Sequence, residues 1–328
     1  MDKMVSIITP CFNGEEFVGR YLESILNQTY KNVELIFVND GSTDRTEDIV
    51  KSYISKFEEN KMQLKYICQK NGGQASALNK GLEIFRGDYL TWPDSDDILT
   101  ADSIEKKALF LEDNKEYGLV RTDGAIVKEN NLSEIEGYFA KDNPNKLKED
   151  LFLDLITENK VWFAPGCYMV RRASFLEVNP NKTIYETRAG QNWQMLLPIT
   201  YKYKCGFIDK PLYLYVVREN SHSHSITDYE KMLKRCDEHE DILINTIESI
   251  NMIVEEKKKY ISIVKEKYIR KKLDIASEFK DKNLADKQYR ILKNNNMDNR
   301  DDFIKYLSCK NKLVDSVIKG FGKIRSMK

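Results

Sequence analysis

Carboxylates crowd one short turn of this chain, Pro93-Asp94-Ser95-Asp96-Asp97, directly after the strand-like run Gly87-Asp88-Tyr89-Leu90-Thr91-Trp92. Hard anionic oxygens so close together suit Mg²⁺ or Mn²⁺, and such a cation in turn suits a diphosphate. The same residues also suit an ordinary turn, with Asp97 capping a helix that opens near Asp102. The position of the turn among the elements before it separates the two readings.

Three strand-then-helix units precede it. Val5-Ser6-Ile7-Ile8-Thr9 reads as a short buried strand, and Phe17, Val18, Tyr21, Leu22, Ile25 and Leu26 fall on one face of the helix that follows. Val33-Glu34-Leu35-Ile36-Phe37-Val38 reads as a second strand; Asp44 then serves as N-cap, with Glu47 three residues on and the stripe Ile49, Val50, Tyr53, Ile54, Phe57. Leu64-Lys65-Tyr66-Ile67-Cys68 is a third, passing through Gly72-Gly73 into a helix with Ala75, Leu78 and Leu82. A fourth strand ends at the acidic turn. This alternation predicts an α/β fold, a Rossmann-like, mostly parallel central sheet with helices on both faces, whose ligands sit outside the carboxyl ends of the strands. Residues 10–13, 39–42, 71–73 and 94–97 all lie at such ends, so four polar segments converge on one rim.

Ser6-Ile7-Ile8-Thr9-Pro10-Cys11-Phe12-Asn13, Ser24-Ile25-Leu26-Asn27-Gln28-Thr29-Tyr30, Val38-Asn39-Asp40-Gly41-Ser42-Thr43-Asp44, Asn71-Gly72-Gly73 and Asp94-Ser95-Asp96-Asp97 resemble the successive motifs of glycosyltransferase family 2, whose members are inverting, nucleotide-sugar-dependent and of GT-A fold. The resemblance runs over residues 4–110. It implies a donor that is a UDP-sugar, a divalent cofactor, Mn²⁺ or Mg²⁺, and the hydroxyl of a glycan, glycolipid or glycoprotein as acceptor. Asp40 would accept a hydrogen bond from the uracil N3–H, with Pro10 and Phe12 lining the base pocket. Asn71, Gly72 and Gly73 would let backbone approach the nucleotide, though a Gly-Gly pair is also an ordinary turn. Asp94 and Asp96 match the family's Asp-x-Asp around Ser95, Asp96 as direct metal ligand and Asp94 nearer the ribose or a metal-bound water. In Arg218-Glu219-Asn220-Ser221-His222-Ser223-His224-Ser225, Arg218 would pair with the diphosphate and His222 or His224 would complete the metal shell; a solvated loop is the other use of that segment.

The chain departs from the family at the catalytic base. Where a Glu-Asp pair is expected it has Gln191-Asn192, and an amide takes no proton at neutral pH. Glu186, five residues before Gln191, is the nearest upstream carboxylate and the candidate surrogate. Gln191 and Asn192 would orient acceptor or diphosphate through their amides, and Trp193 is either a sugar-stacking platform or core. The missing carboxylate keeps open a non-catalytic sugar-nucleotide- or glycan-binding protein. A sugar nucleotidyltransferase is disfavoured because no Gly-rich loop with a basic residue follows Thr9, and a dehydrogenase because the dinucleotide cradle is absent.

At 328 residues, 41% hydrophobic and 11% aromatic, the chain can bury a full core in about two domains. The expected division is 1–227, catalytic, with 1–110 binding the donor and 111–227 facing the acceptor, and 228–328, all helical. Six cysteines without Cys-x-x-Cys spacing suggest buried thiols. With no leader and no membrane-spanning run, the expected location is cytoplasmic. No proline follows Pro211 and no glycine lies between Gly206 and Gly320; helical stripes include Ile242, Leu243, Thr246, Ile247, Ile250, Ile253 and Val254, with a break near Asn294-Asn295-Asn296. Residues 303–328 hold seven Lys+Arg and one Asp. There Leu313, Val314, Val317, Ile318, Phe321 and Ile324 fall opposite Lys312, Lys319 and Lys323, as in a helix lying on the inner membrane face or packed on another subunit of a homo-oligomer. No nucleic-acid partner is expected.

Overall fold

Two strands without an exposed residue run through the first half of the sheet. β1 (Val5–Cys11) and β2 (Val33–Asn39) are buried at every position, so their continuous apolar runs, not an alternating pattern, match strands covered on both faces. The computed structural model describes residues 3–188, 190–218 and 228–311. It divides into two compact units, Met1–Ser221 with Ser249–Asn251, and His222–Glu248 with Met252–Lys328.

In the first unit α1 (Val18–Leu26) follows β1, and α2 (Thr46–Ser52) and α3 (Ile54–Glu59) follow β2. Then come β3 (Gln63–Cys68), α4 (Gln74–Ile84), β4 (Tyr89–Thr91), β5 (Ile98–Leu99) and α5 (Ser103–Asp113). The second half adds β6 (Tyr117–Lys128), β7 (Asn131–Tyr138), α6 (Phe152–Thr157), β8 (Tyr168–Arg171), α7 (Arg172–Val178), α8 (Gln191–Lys202) and β9 (Lys204–Val217). Among the described residues the strands form one sheet in the order β3-β2-β1-β4-β8-β6-β9-β5, with β7 on β6. The pairs among β3, β2, β1 and β4 are parallel. Beyond them the sheet is mixed, antiparallel at β4·β8, β8·β6 and β5·β9 and parallel at β6·β9. The expected parallel sheet is thus one half, β3-β2-β1-β4, of a larger mixed one.

Tyr21, Leu22 and Ile25 of α1 are wholly buried, as the 3.6-residue spacing predicts. Two local expectations are corrected. Asp44 is not the N-cap of α2: Arg45 precedes the helix, and the Asp44 carboxylate instead takes the N–H of Thr46 at 3.0 Å and that of Glu15 at 2.9 Å, joining two loops. Asp97 caps no helix either; it is 1% exposed and accepts from the Tyr213 hydroxyl (2.5 Å) and the Val216 N–H (2.7 Å) of β9.

The second unit holds α9 (Tyr229–Ser249), α10 (Val254–Phe279), α11 (Lys282–Asn294) and α12 (Arg300–Lys310). Leu273, Ala276, Ala285, Leu292 and Cys309 form a core shared by α10, α11 and α12. Asn299 and Asp302 make a reciprocal capping box that opens α12, just beyond the Asn-rich break. The apolar stripe of α9 is shorter than its sequence suggests: the helix stops at Ser249, and Ile253 and Val254 are 63% and 59% exposed. No helix among the described residues is long and apolar enough to cross a membrane. His222, His224 and the stripe 312–328 lie outside the described residues.

Candidate active site

Loops at the carboxyl ends of β1, β2, β3 and β4 build the site by binding one another. Asn13, at φ 50, accepts from the Thr43 N–H (2.9 Å) and donates its own N–H to the Ser42 hydroxyl (2.9 Å), while Gly14 donates to the Thr46 hydroxyl at 2.7 Å. Pro10 is buried at the end of β1, whereas Phe12 leaves 49% of its surface exposed on the rim. An aromatic face left open beside a polar rim is suited to stacking on a flat ring.

Asp40 is 4% exposed and organises the next loop. Its Oδ1 accepts from Gln69 Nε2 at 2.7 Å and the Gly72 N–H at 2.8 Å, and its Oδ2 from the Gly73 N–H at 2.8 Å. Only glycine lets these segments approach so closely. Gly41 sits at φ 74 with Asn71 N 2.7 Å from where a Cβ would be, and Gly73 at φ 90 with the Arg188 Cα at 3.2 Å. A carboxylate has about four acceptor positions, and one on Oδ2 remains for a ligand N–H.

The acidic turn is held from several elements. Before it, the Trp92 indole N–H donates to Asn192 Oδ1 at 3.0 Å. Within it, Asp94 accepts from Gln74 Nε2 at 3.3 Å, Ser95 hydrogen-bonds the Cys11 thiol, and the Asp96 carbonyl accepts from Arg20 Nη2 at 3.0 Å. The Asp96 carboxylate accepts from Arg218 Nη2 at 2.5 Å, and that guanidinium lies 4.5 Å over the Phe17 ring. Burial pushes the Cys11 thiol up to about 12, so it offers no thiolate nucleophile.

Crowding by protein, with the Asp96 charge adding to it, raises the Asp94 carboxyl to about 8. Two carboxylates that repel in this way are a donor set that a shared divalent cation would relieve. Among the described residues no three His, Cys, Asp or Glu side chains are gathered for a metal. Two carboxylate oxygens with the rest of the shell left to phosphate and water is the usual manner in which Mg²⁺-like cations are held beside a diphosphate, so the residues fit the group.

At the start of α8 the amides of Asn192 and Gln194 are committed. Asn192 Nδ2 donates to the Phe163 carbonyl at 2.8 Å in addition to the Trp92 bond, and Gln194 Nε2 donates to the Tyr185 carbonyl at 2.9 Å. Gln191 is 8% exposed. Trp193 is core: 6% exposed, its indole N–H on the Leu155 carbonyl at 3.1 Å and its ring 5.3 Å from Phe163. Glu186 is exposed and lines a surface groove with Ser76, Asn79, Lys80 and Glu83 of α4, a lining that includes no residue of the acidic turn. The structure therefore gathers Asp40, Asn71 and Gly73 in one loop contact, and Asp94, Ser95, Asp96 and Arg218 in another. Glu186 lines the groove beside α4 instead. Arg20, Gln69, Gln74 and Trp92 join the site without a signal in the sequence, except that Gln74 directly follows the second glycine.

A family model for glycosyl transferase family 2 matches residues 6–178. An uncharacterized glycosyltransferase of Haemophilus influenzae is 40% identical over 121 residues, covering 37% of this chain and 46% of that protein, so less than half of that relative's length is spanned. S. aureus TarS 1–349 in complex with UDP-GlcNAc shares the fold at TM-score 0.63 and 18% identity, over 97% of this chain and 92% of that one. The mannosyltransferase PcManGT from Pyrobaculum calidifontis, in complex with GDP-Man and Mn²⁺, matches at TM-score 0.56 and 17% identity over 82% and 70%.

Proposed function

The chain belongs to glycosyl transferase family 2, and from that premise we propose that it transfers a sugar from a UDP-linked donor to a hydroxyl of a glycan, glycolipid or glycoprotein, with inversion at the anomeric carbon. The observation that carries this reading is the meeting of the Asp94-Asp96 turn, the buried Asp40 carboxylate and the open Phe12 face on one rim of the sheet. Phe12 stacks on the base and Asp40 accepts its N–H. Asp94 and Asp96 would hold Mn²⁺ or Mg²⁺, which supplies the Lewis-acid charge that a departing nucleoside diphosphate needs. Arg218, already on Asp96, adds a cation within reach of the same diphosphate. The TarS and PcManGT complexes, with a UDP-sugar and with GDP-mannose and Mn²⁺, support donor class and metal.

The test is release of free UDP from a panel of UDP-, GDP- and dTDP-sugars with Mn²⁺, with and without glycan acceptors. UDP release stimulated by an acceptor is expected; pyrophosphate as product would move the chain to the nucleotidyltransferases. The committed amide of Asn192 favours one second reading, a protein that binds sugar nucleotide without turnover, which the same assay would reveal as saturable UDP-sugar binding with no release.

A further inference from the structure

We propose that Arg20 is a positioning residue for the metal-binding carboxylate, an inference that rests on the reading of Asp94 and Asp96 as cation ligands. Arg20 lies on α1, and its Nη2 donates to the main-chain carbonyl of Asp96 at 3.0 Å. Because it holds the backbone and not the side chain, it fixes where the Asp96 carboxylate begins while leaving both carboxylate oxygens free for a ligand. Arg218 does the opposite, taking Oδ2 itself at 2.5 Å. A cation would compete with that contact for the carboxylate, whereas the Arg20 bond to the main chain competes with none.

Two further contacts make Arg20 a strut. Its guanidinium stands 3.7 Å from Glu129 Oε1, a part-exposed pair that orients more than it binds. The Glu129 N–H in turn donates to the Val217 carbonyl at 3.1 Å, next to Arg218. Arg20 thus ties the acidic turn to the chain segment from which Arg218 reaches. The next residue, Asp97, is pinned to Tyr213 and Val216, so the peptide that follows the Asp96 Cα is held at its carbonyl and at the residue beyond it.

Partners that orient a ligating carboxylate without touching the metal typically change affinity by about 10–100-fold when removed. Arg20→Met should weaken Mn²⁺ binding to the donor-free protein by about tenfold or more, read by electron paramagnetic resonance of free Mn²⁺. Arg20→Lys keeps one donor for the Asp96 carbonyl and should recover most of that affinity, a rescue that loss of packing alone would not give. Glu129→Gln, which leaves α1 and the turn intact, should give a smaller loss in the same direction. Asp96→Ala is the control. If Asp96→Ala binds Mn²⁺ like wild type, the metal reading itself fails; if Asp96→Ala loses binding while folded Arg20→Met and Glu129→Gln keep wild-type affinity, the Arg20 proposal alone is overturned. Should Arg20→Met not fold, a folded Glu129→Gln at wild-type affinity overturns it.

Discussion

Asn192 stands where the resemblance leads us to expect a carboxylate, and its neighbours dictate its chemistry. The Trp92 indole can only donate and the Phe163 carbonyl can only accept, so the amide is held in one orientation with both ends used. Asn192→Asp would set a carboxylate oxygen against the Phe163 carbonyl. The expected result is a loss of about 1–3 kcal/mol in urea unfolding, without a gain in transfer; a variant of undiminished stability and higher activity would show that position 192 faces the acceptor instead. Glu186 lies in its groove on α4, and Glu186→Gln is expected to leave the transfer rate within roughly twofold, where loss of a true general base costs about 10²–10⁴-fold. A drop of that size in a steady-state assay would make Glu186 the base. For Asp96→Ala, turnover should vanish while the thermal melt stays near wild type, since the side chain is part-exposed on the rim and anchors no core group. Unchanged turnover would remove the acidic turn from the chemistry.

Elements were legible where apolar runs are long, and loops where a motif names them. β1, β2, β3, α1 and α4 follow from continuous or 3.6-spaced apolar residues, and the four converging rim segments follow from their order. β6 and β8 were not read, because strands that pair antiparallel across more than forty residues leave no local alternation of units to count, and β7, a hairpin partner of β6, is exposed along most of its length and carries no apolar run. The ties of Arg20 to Asp96 and of Trp92 to Asn192 span 76 and 100 residues, beyond any periodicity. Gly73→Ala tests the crowded loop: at φ 90 and ψ 169, a region open essentially to glycine alone, a Cβ costs about 1–3 kcal/mol, and UDP binding should weaken with the lowered melt. A variant as stable as wild type would mean the 71–73 loop yields without strain. Within the sheet, Glu34 of β2 is wholly buried and takes Lys65 Nζ at 2.5 Å, the Ser6 hydroxyl at 2.5 Å and the Arg86 N–H at 2.7 Å. Burial opposes ionisation there, yet these donors hold the carboxyl below its ordinary range. A depressed native pKa contributes stability that is full above the unfolded glutamate value and fades as pH falls through the native one. Glu34→Gln should therefore lower the urea midpoint at pH 7 and converge with wild type in acid; a gap independent of pH would assign the loss to packing.

At the scale of the whole molecule, the last described helix of the second unit carries Cys309, 3% exposed in the core, and Lys310, which pairs with Asp286. A truncation should therefore follow Asn311. We expect the form lacking 312–328 to sediment less with anionic vesicles than the full chain at low salt, with the difference shrinking at high salt, since those residues carry five Lys+Arg. Equal sedimentation of both forms would assign the stripe to a protein contact. The bonds from Asp97 to Tyr213 and Val216 bridge 116 and 119 residues, and β5, next to Asp97, pairs with the end of β9. During synthesis, then, the first four strands can assemble on the ribosome while the acidic turn still swings loose, and the ends that finish it meet only after β9 has emerged. Closing so long a segment is entropically slow. A nascent or truncated chain would hold the Asp40 loop contact before it could hold an ordered acidic turn, and in refolding the Mn²⁺ binding proposed for that turn should return after the bulk of the secondary structure.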